Sequence, residues 1–235
     1  MSAVASRSLA KSSPWLSRST RLGRLLSSSI GLKLVMALTG VLLSAFVLVH
    51  MLGNLQVFQG AEAIDAYGRL LRKEPAILWL ARLILLGAVG LHIAAFVALR
   101  RMNSQARAQG YRVKKNRESS FASRSMIITG PLLLGFIVFH ILHLTTGTVH
   151  PNFTEGAVYQ NLVIGLKGLV GVVYLIAMAL LAFHLWHGVW SMFQTLGVPE
   201  DRFRSPGRRF ATIFTLVVTL GFASVPLAIM LGFVQ

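Results

Sequence analysis

The sequence has no cysteine, and only seven of its 235 residues are acidic. Without cysteine the chain carries no disulfide, no thiolate metal site, no iron–sulfur cluster and no c-type haem attachment, so any redox chemistry needs another cofactor. Charge of both signs is scarce: 13% of the residues are charged against 54% hydrophobic, a balance foreign to soluble domains of this size. Alternation of period two is also missing, which leaves helices as the way to cross a bilayer.

What is there is five apolar windows, at 34–55, 76–99, 125–149, 168–193 and 210–234. Each is long enough for about 30 Å of hydrocarbon. They predict an all-α integral membrane protein with helices over about 31–55, 76–100, 125–149, 163–193 and 209–234. Residues 31–235 then form one transmembrane domain, whose first four helices make a bundle. Residues 1–30 are rich in Ser, Arg and Lys without an acid, as organelle transit peptides are, but they lack the apolar core of a secretory signal. They read as a retained cytoplasmic arm. The connector AEAIDAYGRLLR sets Ile64, Tyr67, Leu70 and Leu71 at helical spacing and is expected to form an interfacial helix.

The net charge of +16 raises the question of nucleic acid. Eighteen of the 23 Lys and Arg residues fall before or at the start of the first helix and around the second and fourth loops, all on one side of the membrane. The positive-inside rule places that side, with the N-terminus, in the cytoplasm or a matrix, and the C-terminus outside. The expected location is the cell inner membrane, crossed several times. The other loops hold four of the seven acids, so the asymmetry describes a solvated basic face near anionic lipid and requires no nucleic acid.

Histidine placement is more informative. TGVLLSAFVLVH, ending at His50, returns as TGPLLLGFIVFH, ending at His140, with six of twelve positions identical. The predicted second and fourth helices carry His92 and His184, 42 and 44 residues after His50 and His140. One helix pair therefore looks like a copy of the other. At about 1.5 Å per residue, His50 stands roughly 25 Å above Lys33 and His140 roughly 24 Å above Arg124, both near the outer face. His92 lies about 12 Å from Arg100, and His184 about 15 Å from Gln194, both near the inner face. Two pairs at two depths result: His50 with His140, and His92 with His184.

An imidazole in hydrocarbon needs a partner for its nitrogens. Haem iron is one, and a four-helix bundle with inward ligands from facing helices is a frame for it, so two stacked pairs would hold two haems b. Gly40 and Gly130 each sit ten residues before their own histidine, about 15 Å lower and close to the depth of the other pair. There they would leave room for a flat macrocycle. His143 and His187 lie one turn from His140 and His184; the repeat selects His140, and His187 reads as a hydrogen-bonding group.

The strings SSSIGLKLVMALTG, VHMLGNLQVF, GAEA and FHLWHGVWSMFQTLG resemble the membrane cytochrome b subunit of succinate dehydrogenase and quinol:fumarate reductase, in its single-chain, five-helix, two-haem form. The last string is the most specific, and the resemblance runs from about residue 27 to the fifth helix. It implies axial ligands at His50, His92, His140 and His184. It also implies a membrane anchor that binds a flavoprotein and an iron–sulfur protein on its basic inner face and exchanges electrons with quinone, menaquinone in this form. The inner haem would serve the iron–sulfur partner, and the outer one would lie nearer the quinone.

For quinone, Glu62, Arg82 and Lys167 are the ionisable groups closest to the outer boundary; Arg82 and Lys167 also read as side chains snorkelling to the interface or pairing with a haem propionate. Two other readings stand beside this one. One is a di-haem cytochrome b anchoring a hydrogenase, formate dehydrogenase or nitrate reductase. The other is a transporter with a histidine proton relay, which calls for helices broken at mid-membrane. If the basic loop docks partners, reversing the charges of Arg112, Lys114, Lys115 and Arg117 should weaken co-purification of the soluble subunits or binding to anionic vesicles, most at low salt. Unchanged binding at every ionic strength would reduce the loop to a topology signal.

Overall fold

The computed structural model describes residue 23 and residues 28–106, 121–197 and 206–235. Most of the N-terminal arm, the loop with Arg112, Lys114, Lys115 and Arg117, and most of the connection before the last helix lie outside the described residues. The rest is helical, with no strand among the described residues. Helix α1 spans Ser29–Asn54 and starts from Ser28, whose hydroxyl accepts the Gly31 N–H at 3.0 Å as an N-cap. A 3₁₀ turn, Leu55–Gln59, and Gly60, at φ +98°, swing the chain into the short helix α2, Ala61–Arg72. Then come α3 (Pro75–Gln105), α4 (Phe121–Leu144), α5 (Val158–Gly165), α6 (Gly168–Thr195) and α7 (Pro206–Met230).

Five of these helices, α1, α3, α4, α6 and α7, are long and apolar enough to span a membrane. Their outward faces carry Leu, Ile, Val and Phe in the open, as expected where the solvent is lipid. The expected integral, all-helical class holds, but several boundaries move, and at two of them the backbone shows why. The third span ends at Leu144 instead of 149, because Gly147 turns the chain at φ +71° and the Thr146 and Thr148 hydroxyls donate to the Leu142 carbonyl. The fourth begins at Gly168 instead of 163: Lys167 is extended and Gly168 takes φ +59°, which cuts α5 off as a separate helix. The expected interfacial helix is α2; Ile64 is buried and Tyr67 half-buried, whereas Leu70 and Leu71 are exposed.

The helices pack unevenly around the bundle. Helix α3 runs along α1, α4 along α6, and α1 along α6, while α7 lies outside against α6 and α1. Neither α1 with α4 nor α3 with α6 has comparable packing, so these are the diagonals of a square; its α3–α4 side is also unpacked. Where α7 closes in, small residues permit it: a side chain on Gly171 would strike Met230, one on Gly207 Phe193, and one on Gly221 Met51. The buried apolar clusters sit elsewhere than the square's centre. One gathers Leu185, Val189, Ala211 and Val218 between α6 and α7; the other gathers Val57, Ile64, Leu162, Val163 and Leu166 beneath α2 and α5.

The two short helices form a cap over the end opposite Arg100 and Arg208. Asp65 of α2 accepts the backbone N–H of Tyr159, in the first turn of α5, at 2.9 Å. A carboxylate there meets an unpaired donor and the positive end of the helix. Asp65→Ala should therefore loosen the cap by about 1–2 kcal/mol, seen as faster amide exchange in α5 with α6 unchanged. Asp65→Asn should retain most of the protection, and equal exchange in Asp65→Ala and the parent would refute the tie.

Candidate functional site

The histidines sit along the diagonals. The rings of His50 on α1 and His140 on α4 have centroids 5.8 Å apart, and those of His92 on α3 and His184 on α6 are 6.3 Å apart. A metal bonded at about 2.0 Å to one nitrogen of each of two imidazoles would set their centroids about 6 Å apart. Each pair therefore has the span of two ligands on one metal, and it bridges helices whose backbones leave a gap. Among the described residues no group of three or more His, Cys, Asp or Glu side chains gathers as a metal site.

Local contacts decide which nitrogen is on offer. Thr39 donates its single hydroxyl hydrogen to the Val35 carbonyl at 2.8 Å, leaving its oxygen to accept from Nδ1 of His92 at 3.1 Å. His92 is thereby held as the Nδ1–H tautomer with its lone pair on Nε2, the form a metal ligand takes. Next to Thr39, Gly40 is half-buried, and a Cβ built on it would lie 3.7 Å from Cε1 of His92. Gly130, at the matching position of α4, faces space with nothing within 4 Å of such a Cβ. His184 differs from His92, since its Nδ1 is buried without a hydrogen-bond partner.

At the cap end the Tyr174 hydroxyl lies 3.3 Å from Nδ1 of His140 and 3.0 Å from Nδ1 of His143. With one hydrogen, it donates to one ring and accepts from the other. His143 is 1% exposed and turns away from His50 towards His150, with ring centroids 4.9 Å apart. His150 takes the Asn152 N–H on Nδ1 and donates from Nε2 to the Asn161 carbonyl. It is His140, then, that meets His50, while His143 joins a buried polar cluster. The amide of Asn54 donates to the His50 carbonyl at 2.8 Å and reaches Nε2 of the same ring only at 3.5 Å, the weak limit of a hydrogen bond.

The three ionisable quinone candidates are not drawn together. Glu62 is exposed in the first turn of α2, Arg82 lies over the Trp79 ring at 5.0 Å, and Lys167 precedes α6 beside Ile229, Met230 and Gln235. No ion pair or hydrogen bond joins any two of them among the described residues. Sequence reasoning missed Tyr174 and Thr39. Tyr174 is a single hydroxyl in an apolar run and gave no signal, whereas Thr39 stands inside the repeated TG-to-His string, where its recurrence as Thr129 is a legible signal.

Among known proteins, the family described as succinate dehydrogenase/fumarate reductase transmembrane subunit matches residues 100–223, more than half of the chain. The matched stretch includes α4 and α6 with His140 and His184, and does not reach back to His50 and His92. No curated protein and no solved structure matches significantly. With five membrane-spanning helices and this match across its second half, the chain belongs to the succinate dehydrogenase/fumarate reductase transmembrane subunit family.

Proposed function

We propose that the chain is the di-haem b membrane anchor of a succinate:quinone oxidoreductase, exchanging electrons between an iron–sulfur partner and membrane quinone. The observation that carries this reading is the pair of histidine couples on the two unpacked diagonals. Haem iron, when bound, supplies reversible one-electron chemistry in a span that otherwise conducts none. The chain's own residues position and shield. His50 with His140, and His92 with His184, would hold the two haems through their ring nitrogens. Thr39 fixes the tautomer of His92. Tyr174 does the same for His140 when it accepts from Nδ1–H of that ring and donates to His143. Gly40 and Gly130 leave clearance at the level of the His92–His184 pair, and the apolar helix faces keep water away.

The succinate–fumarate chemistry would belong to partner chains, as would any iron–sulfur cluster, since this sequence has no cysteine to ligate one. A flavoprotein and an iron–sulfur protein would dock at the basic end, where Arg100, Arg101, Arg208 and Arg209 are exposed. That end faces the cytoplasm in the inner membrane, with the C-terminus outside. Quinone, menaquinone by the family resemblance, would bind near the cap, with Glu62, Arg82 and Lys167 as candidate contacts. A histidine-relay transporter is disfavoured, because α4 runs through Pro131 and α7 through Pro226 unbroken.

Purified protein should contain two haems b per chain by extraction and spectroscopy. Alanine at His50 or His140 should remove or destabilise one and the same haem, and alanine at His92 or His184 the other; loss shared between His50 and His92 would break the pairing. Leucine at Gly130 supplies a sharper check. A Cβ at this position meets nothing within 4 Å, so the substitution probes whether something fills the space beside it. Overpacking against a bound macrocycle costs about 1–3 kcal/mol, and Gly130→Leu, like Gly40→Leu, should lower the occupancy or shift the spectrum of the haem on His92 and His184. An unperturbed spectrum in both would make these glycines ordinary helix-contact residues.

A further inference from the structure

Two of the buried polar atoms without a hydrogen-bond partner are Oγ1 of Thr129 and Nδ1 of His184. Thr129 is 3% exposed, so water does not serve its hydroxyl. They lie on α4 and α6, which pack along each other. Their counterparts in the first half of the repeat are Thr39 and His92, and those two are hydrogen-bonded at 3.1 Å.

Depth brings the second couple to the same place. Thr39 precedes His50 by eleven residues, and Thr129 precedes His140 by eleven. Because His50 and His140 face each other, the two threonines share a level about 16 Å lower along their helices. Thr39 marks that level as the one of His92, and His92 faces His184. By this reckoning Thr129 falls at the level of the inner pair, on the helix that packs along the one carrying His184, as Thr39 does on the helix that packs along the one carrying His92. In the arrangement Thr39 adopts, the hydroxyl of Thr129 would donate to the Ser125 carbonyl four residues back, a common setting for threonine in a helix, and its lone pairs would be left for His184.

Resting on the di-haem reading, we propose that Thr129 is a positioning residue which accepts Nδ1–H of His184, as Thr39 accepts that of His92, so that both rings present Nε2 to one haem iron. The two hydroxyls form a symmetric outer shell around the inner haem. A hydrogen bond from Nδ1–H makes the imidazole a stronger donor to the metal and favours the oxidised state. Its loss should raise the midpoint potential of that haem.

The test is a potentiometric titration of the whole enzyme in membranes, followed at the haem absorption bands and by the low-spin signals in electron paramagnetic resonance. Thr129→Val should raise the midpoint of the haem held by His92 and His184 and alter its low-spin signal, with the other haem unchanged; Thr39→Val should act in the same direction. Thr129→Ser, which restores the hydroxyl, should return both readouts to the parent values. If Thr129→Val does not assemble, Thr129→Ala compared with Thr129→Ser is read in the same way. Parent-like potentials and signals in Thr129→Val, or a Thr129→Ser shifted as far as Thr129→Val, would overturn the assignment while two haems per chain left the functional reading intact. Fewer than two haems in the parent protein would overturn both.

Discussion

A ring nitrogen inside hydrocarbon can be satisfied only by protein or by something the protein binds, and six of this chain's seven histidines lie in its spans. That requirement organises the bundle. Four of the six rings point along diagonals that no backbone packing closes, and three of those four have a nitrogen within reach of a threonine, a tyrosine or an asparagine. His143 and its neighbour His150 are placed differently: Nδ1 of His143 meets the Tyr174 hydroxyl while its Nε2 is buried without a partner, and both nitrogens of His150 pair with backbone, at Asn152 and at Asn161 of α5. The polar contacts thus separate rings that face a gap from rings that knit the cap.

With ring pairs bridging its diagonals, the bundle gathers its apolar packing elsewhere. The buried apolar clusters lie between α6 and α7 and beneath α2 and α5, while α1 and α3 bury small residues such as Ala37, Ala88 and Ala95. In lipid, apolar surface alone does not drive helices together; close contact does. Glycine at positions 171, 207 and 221 supplies that contact for α7, which explains why a helix without histidine belongs to the fold at all.

Much of this was written in the chain. Hydropathy located five spans because lipid demands long apolar runs, and the TG-to-His repeat with simple depth reckoning paired the four histidines that now face each other. The separate α5 was hidden because Leu162, Val163 and Leu166 are as apolar as the span after them, and only the backbone turn at Lys167 and Gly168 divides them. Thr39 was marked by its recurrence as Thr129, but its partner was not: a threonine in a membrane helix usually returns its hydroxyl to its own backbone, and the contact with His92 becomes visible only when α3 is laid against α1. The unpacked α3–α4 side is likewise a property of helix placement, to which no single residue testifies.

That open side has a mechanical consequence. Each half of the chain is a hairpin of two long helices with a short one at the bend, and the halves meet along the α1–α6 seam and at the Asp65 tie between their bends. Such an object is a hinged book: stiff in each cover, joined at the spine and at one clasp, and compliant across the fore-edge where α3 and α4 stand apart. A ligand spanning the diagonals would brace both leaves across that open edge.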